Sequence, residues 1–494
     1  MGVIIKQSIK GTIFTYMGIF IGFLTSGLLF PLFLKTDEIG LLNILVAYSS
    51  IFAQFGSLGF NAAATRLFTY FRNEKNNHNG FLFLSMMVGI AGFLLAVIVL
   101  ILLKHFLLTT GGNESLYFES YFWYLIPLIF FTLFFNALDT YYKMLYNSVI
   151  GTFMKEFVQR ILILLVFAFY FLKWIDFSQY VLGYVVAMAL PTLLVTVVLI
   201  KEKSFNLKPN LSFINTELRK SLTSVSFFGI ISGFSSLIIL QLGTIMITML
   251  LGLSSTGVYT TMFFYATLIL IPSRAIIKIS SVVIADKWKN NDVAAIADIY
   301  YKSCINQLVI AAILFIGLWG NIDNIFRILP AEFESGKYIL LFIGLANLFD
   351  MATGVNGTII STSKYYKIHT YIMIFLIALI IVTNLIFIPI YGIVGAAFGS
   401  AISVFVFNIV RYLFLLSKYK MQPFNYKHLL IIGISAFSYL SVYFIPEIEN
   451  LLFDILIRSS IMTIVFVIPV YFLKISDEIN QGIKSIWSKI KIKQ

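Results

Sequence analysis

Read from its N-terminus, the chain alternates long apolar runs with short polar breaks. Fourteen runs lie near residues 11–34, 41–65, 81–103, 121–142, 153–172, 179–200, 222–251, 257–277, 304–321, 337–361, 369–388, 393–417, 428–446 and 453–473. A helix of roughly 20 apolar residues crosses a hydrocarbon core, so each run has the length of one crossing. The run 222–251 is long for one crossing and leaves room for an interfacial turn. Connections are mostly short, so no soluble domain is inserted. The first run follows only Lys6 and Lys10 and lacks a small-residue cleavage pattern, which reads as a retained helix. The pattern predicts an all-α integral membrane protein with about 14 transmembrane helices.

Composition agrees. Of 494 residues, 60% are hydrophobic and 12% charged, which excludes a soluble enzyme with an ordinary water-facing surface. The net charge of +13 raises the question of nucleic acid. Its distribution answers it. With the N-terminus inside and sides alternating, 29 of the 35 Lys and Arg fall on inner segments or inner helix ends. Six fall outside: Lys35, Lys104, Lys173, Arg327, Lys337 and Arg458. This is the positive-inside pattern, so both termini are expected on the cytoplasmic side, and no nucleic-acid partner is needed. Trp123, Trp174 and Trp319 fall at predicted outer interfaces. The tail 474–494 sets Ile475, Ile479, Ile483, Trp487 and Ile490 at helical spacing, with Lys484, Lys489, Lys491 and Lys493 on other faces. It reads as a basic helix lying on the inner leaflet and touching membrane lipids. The single cysteine, Cys304, and the scattered His78, His105, His369 and His428 make no metal-ligand spacing.

The halves of the chain resemble each other. Gly40 and Gly257 correspond at an offset of 217, Asn136-x-x-Asp139 and Asn347-x-x-Asp350 at 211, and Gly183 and Gly395 at 212. Six runs per unit is even, so the repeats insert in parallel, related by an axis along the membrane normal. The expected domains are an N-terminal six-helix lobe (1–200), a cytoplasmic linker (201–221), a C-terminal six-helix lobe (222–417), two extra helices (418–473) and the basic tail (474–494). Two such lobes suit a carrier working by alternating access.

Ionisable groups in hydrocarbon ask for a reason. Of 22 acids, 11 (Glu114 and Asp454 among them) fall outside and nine inside, leaving only the repeat-related Asp139 and Asp350 within runs. Asp350 lies about 20 Å from the outer end of its run at 1.5 Å per residue and is a candidate for ion coupling. Asp139 is a second candidate, against which stands an i,i+4 pair with Lys143. Arg66, Arg160, Arg274 and Arg411 stand at or inside the inner helix ends. Guanidinium groups suit phosphate, so these four are candidates for a phosphate-bearing headgroup, against ordinary positive-inside anchoring. Arg160 and Arg411 lie deepest. Asn61, Asn136, Gln241, Asn347 and Asn356 are candidate cavity-lining polar residues. Gln54, Asn306, Gln307, Asn384 and Asn408 could serve there too or bond helix to helix. No phosphate-binding loop G-x-x-x-x-G-K-[ST] occurs, so ATP is not the expected energy source, and no hydrolytic constellation is present. Neither cofactor nor enzymatic activity is expected. Coupling to H+ or Na+ stays open.

Several stretches carry a family likeness. GLLNILVAYSSIFAQFGSLGFNAAATR, STGVYTTMFFYATLILIPSRAI and IPIYGIVGAAFGSAIS resemble the second, eighth and twelfth spans of the polysaccharide flippases. These are the O-antigen or capsule repeat-unit exporters, involved in lipopolysaccharide and capsule biosynthesis, of the multidrug/oligosaccharidyl-lipid/polysaccharide superfamily. The resemblance implies a MATE-like two-lobe fold. It also implies an undecaprenyl-diphosphate-linked oligosaccharide moved from the inner to the outer leaflet through a cationic central cavity, with a polysaccharide polymerase as partner. A multidrug cation antiporter of the same superfamily is the rival, but its usual acid in the first span is absent from 11–34. A lipid II or teichoic-acid precursor exporter differs mainly in headgroup. A membrane polymerase would want a long outer catalytic loop, which the sequence lacks.

Overall fold

The computed structural model describes residues 2–109 and 115–491. Glu114 and Lys493 lie outside the described residues, as do the side chains of Lys6, Ile483, Trp487, Lys489, Ile490 and Lys491. Every regular element among the described residues is helical. Helix occupies each of the fourteen predicted runs, yet length and apolarity count fewer crossings. Nine described helices qualify, or ten if the bent pair Ala331–Ala352 and Asn356–Thr362 forms one span. The difference has local causes. The run 153–172 opens on a π-helical turn, Phe153–Val158. The runs 369–388 and 393–417 merge into one element of 54 residues, Tyr366–Tyr419. Inside that element Gly392 has φ 58° and ψ −139°, a conformation open essentially to glycine alone. The chain folds back there: the Thr383 hydroxyl reaches Ser403 Oγ at 3.1 Å and the Gly399 carbonyl at 3.2 Å.

The chain divides into two compact units, Met1–Thr260 and Thr261–Gln494. The predicted linker 201–221 and the run 222–251 therefore sit inside the first unit. The reason is close packing of helix Thr216–Leu251 on its predecessors. A Cβ on Gly229 would lie 2.6 Å from the Ala62 Cβ, and one on Gly233 2.2 Å from Gln54 Nε2. A core of this unit gathers Phe68, Phe71, Phe81, Tyr141 and Tyr142. Asp176 and Gln179 cap helix Phe177–Lys201 reciprocally, at 2.8 and 3.0 Å, satisfying donors that a helix start leaves unpaired.

The repeat is legible in one contact of the first unit. Helices Thr36–Gly56 and Leu253–Thr267 cross at their N-termini. A Cβ on Gly40 would lie 2.0 Å from the Leu253 carbonyl oxygen, and one on Gly257 1.9 Å from that of Thr36. Thr36 and Leu253 are 217 residues apart, as are Gly40 and Gly257. Each glycine thus seats on the repeat-mate of the residue that bears its partner, the reciprocal pattern of a two-fold axis. A hydrogen bond of 2.7 Å between the Thr36 and Ser254 hydroxyls closes the crossing. The third repeat pair behaves alike: Gly183 packs against Val166 of the preceding run and Gly395 against the Phe387 carbonyl of its own preceding run.

In the second unit, Asp292 caps helix Val293–Gly320. The Ala295 N–H and the Lys287 ammonium hold its carboxyl below the usual carboxylate range. The two helices beyond the repeat, Tyr426–Tyr443 and Leu451–Phe472, are pinned by Asp454. Its carboxylate, 1% exposed, accepts from Asn324 Nδ2 at 2.5 Å, Arg458 Nε at 2.8 Å and the Ile448 N–H at 3.2 Å. Arg458 also donates to the carbonyls of Val442, Ile445 and Pro446. The tail helix Asp477–Lys491 is tied at its start: Ile475 is buried, Ser476 Oγ meets Asn306 Oδ1 at 2.5 Å, and Lys427 donates to the Lys474 and Ile475 carbonyls. Asn306 thus bonds helix to tail.

Asp454→Ala leaves the Arg458 guanidinium buried without a counter-charge. Breaking a buried pair costs about 3–5 kcal/mol. The thermal midpoint in detergent should fall accordingly, and protease should cut within 444–450 before elsewhere. An unchanged midpoint would show that the three carbonyls near Arg458 suffice.

Candidate functional site

The sequence candidates separate into two groups. In the first unit most of them act in local structure. Asp139 takes the Lys143 ammonium at 2.5 Å and packs its carboxylate against Gly151, so the i,i+4 pair is present. Arg160 donates to the Gly18 carbonyl at 2.8 Å and to Glu156 Oε2 at 3.1 Å. A Cβ on Gly22 would collide with that guanidinium. The arginine therefore staples Gly2–Gly22 to the helix that carries it, beside the π-helical turns Phe23–Leu29 and Phe153–Val158. Arg66 is exposed, and Asn61, Asn136 and Gln241 are half-buried, with no side-chain partner among the described residues. None of these joins a shared site within the unit.

The second unit brings its candidates together, Arg274 excepted, which is exposed with no partner among the described residues. Helix Lys337–Ala352 ends two residues after Asp350, the chain turns through Gly354 at φ 61°, and Asn356–Thr362 resumes at a 54° bend. Asn408, on the second arm of Tyr366–Tyr419, lies opposite that elbow. It is fully buried and donates to Asp350 Oδ1 at 2.8 Å and to the Val404 carbonyl at 3.1 Å. Its own oxygen accepts from Asn356 Nδ2 at 3.1 Å and lies 3.0 Å from Thr353 Oγ1, whose single hydroxyl hydrogen is shared with the Asp350 carbonyl at 2.8 Å. Both donors and one lone pair of the amide are thus in use, and the second lone pair takes part of a shared hydrogen. Asn347, one turn before the elbow, bonds the Ala266 carbonyl at 2.9 Å and acts in packing.

Arg411 follows Asn408 by three residues and so shares its helix face. The residue is 9% exposed, and its guanidinium carbon lies 3.7 Å from the centre of the Phe407 ring and rests on Gly357. Its one hydrogen-bonding contact is the Met373 sulfur, at 3.8 Å. No carboxylate lies within ion-pair distance of it among the described residues. Asp350, Tyr300 and His369 interact with it through space. Arg411 Nε, the Tyr300 hydroxyl and His369 Nδ1 all lack a hydrogen-bond partner among the described residues. Buried polar groups are normally paired, and each exception asks for a reason. Two such groups beside a buried cation whose own Nε is also unpaired give a polar centre whose donors could serve an oxygen-rich anion. Positive-inside anchoring does not explain Arg411, because an anchoring cation reaches water. Sequence reading missed Thr353, Tyr300, Phe407 and His369. Thr353 and Phe407 had a signal in their spacing, three residues after Asp350 and four before Arg411.

The architecture is shared with solved membrane proteins. A structure described as lipid II flippase MurJ in an inward closed conformation superposes with TM-score 0.76 at 16% identity, covering 94% of this chain and 99% of that one. An inward-facing multidrug resistance MATE family transporter of the MOP superfamily gives 0.64 at 13%, covering 82% and 94%. A Vibrio cholerae MATE transporter gives 0.56 at 11%, covering 85% and 100%. No curated protein sequence matches the chain. Fold and apolar helices together define a multi-pass membrane protein of MATE-like architecture. Residues 8–284 match the family described as polysaccharide biosynthesis protein. That is more than half of the chain, and the chain belongs to this family.

Asn408→Ala should expose its importance to the elbow. It strands the buried Asn356 amide and removes the donor to half-buried Asp350, while Thr353 keeps the Asp350 carbonyl, and one stranded buried group costs about 1–3 kcal/mol. A loss of at least about 2 kcal/mol is expected in a reversible detergent titration. A neutral result would mean that the elbow holds without the amide.

Proposed function

We propose that the chain is a flippase that carries a polyprenyl-diphosphate-linked oligosaccharide repeat unit from the inner to the outer leaflet by alternating access. One observation carries the reading: the buried, ion-pair-free guanidinium of Arg411, ringed by further unpartnered polar groups. Spanning cations with only a structural role find a partner, as Arg160 finds Glu156 and Arg458 finds Asp454. Arg411 offers its donors to a ligand instead. A phosphate oxygen is the chemistry a guanidinium fork matches best. Family membership and the MATE-like fold support the reading. Lipid II, named for a structural relative, carries the same diphosphate, and the site's chemistry accommodates that headgroup equally.

Membrane potential assists export, since each negative charge leaving an interior-negative cell gains about 2.3 kcal/mol per 100 mV. Asp350, one amide away from Arg411's face, is the group through which a proton or sodium ion would act.

In a strain lacking the protein, lipid-linked repeat units should accumulate on the inner leaflet. Accumulation on the outer leaflet would indicate a polymerase instead. Arg411→Gln should abolish complementation while the protein still inserts; wild-type export by this variant would remove Arg411 from the site. Asp350→Asn should flatten the pH dependence of export, and an unaltered profile would argue against coupling through this carboxylate.

A further inference from the structure

Helix Thr216–Leu251 opens with a face whose chemistry changes along its length. Thr216, Arg219, Lys220, Thr223, Phe227 and Ile230 follow at spacings of one, three and four residues, so they form one stripe. The stripe begins cationic and hydroxylic and ends apolar. Against its apolar end lies a cavity of about 650 Å³, walled by Phe60, Met87, Val88 and Phe227 among others, with Arg219 and Thr223 at one margin. The same two residues border an open hollow of about 500 Å³ with Thr216, Lys220 and Ser224. The two spaces adjoin, making a trough with an oily floor and a basic mouth. It exists because Leu58 and Gly59 turn the chain at φ 47° and 68°, and Gly59 seats directly on the Ser226 carbonyl, where a Cβ would lie 2.0 Å away.

The mouth is uncommitted. Neither Arg219 nor Lys220 has an ion-pair or hydrogen-bond partner for its side chain among the described residues. Two free cations side by side match a group with about two negative charges better than the single charge of a phosphodiester lipid. A narrow apolar trough within the range of ligand pockets, about 300–1,000 Å³, fits one hydrocarbon chain.

We propose that this trough is a docking site on the first unit for the lipid end of a single-chain prenyl diphosphate. The diphosphate lies on Arg219 and Lys220, and the first isoprene units run along Met87 and Phe227. The site rests on the function proposed above and adds to it a place, distant in sequence from Arg411, where the substrate is taken from the inner leaflet.

The test uses full-length protein in phosphatidylcholine nanodiscs, with geranylgeranyl diphosphate bearing a diazirine on its second isoprene unit as probe. Label is expected on peptides containing Met87 or Phe227. The double variant Arg219→Gln/Lys220→Gln should weaken probe binding about 10- to 100-fold, the loss of charge-assisted hydrogen bonds. The double variant Arg219→Lys/Lys220→Arg should restore it, which separates charge from any folding defect. Geranylgeraniol should compete poorly. Unchanged affinity in the Gln variant, or label confined to other segments, overturns the proposal. So does competition by phosphatidylglycerol at equal concentration, which would assign the trough to bulk anionic lipid. Trough labelling should persist in Arg411→Gln. If it vanishes there, the trough proposal alone falls. If the wild type binds no prenyl diphosphate anywhere, the flippase reading falls with it.

Discussion

Hydrocarbon supplies no hydrogen bonds, so every polar group placed in a spanning helix must find its partner inside the protein. Most of this structure follows from that constraint. Arg160 finds a helix carbonyl and Glu156, and with them fastens two helices. Asp454 finds Asn324, Arg458 and a backbone N–H, and so holds the terminal pair of helices in place. Asn408 gathers three side chains at a helix break. Polar residues here act less as surface than as rivets. Arg411 stands out because it is as deep as the rivets and fastens nothing.

The two repeats share backbone geometry more faithfully than chemistry. Gly40 and Gly257 keep a reciprocal contact in which each glycine meets the other's neighbourhood. The matched aspartates have parted. Asp139 lies four residues before a lysine and is neutralised by it, whereas Asp350 faces an amide beside an unpaired arginine. Of the two matched aspartates, local substitutions leave only Asp350 in a buried polar centre.

Fold class was legible because a spanning helix needs only length and apolarity, and the positions of all fourteen runs are helical. Where each run ends was less so. Gly392 reverses the chain without a polar loop, so two runs join as one element. The seam between compact units was misplaced by hydropathy alone, since the basic stretch 201–221 looks like a linker. Packing decides otherwise, through Gly229 and Gly233 against the second predicted run. Within the site, Asp350, Asn356 and Arg411 were legible as polar residues in apolar surroundings. Their gathering was not, because Asn408 lies 58 residues from Asp350 and only the fold-back at Gly392 faces it toward the elbow. Arg160 and Arg411 look alike in sequence, and only the Gly18 carbonyl and Glu156 separate them.

The bonding of Asn408 has a mechanical meaning. A bent helix is often taken as a flexible joint. This bend is tied by one amide to Asp350 and Asn356, one residue on either side of the break, so straightening it abandons at least one of those bonds. It behaves as a bracket, not a hinge. The arm 393–419, the elbow and the helix 337–352 then move together, and Arg411, seated on that arm, is carried with the frame and not swung within it.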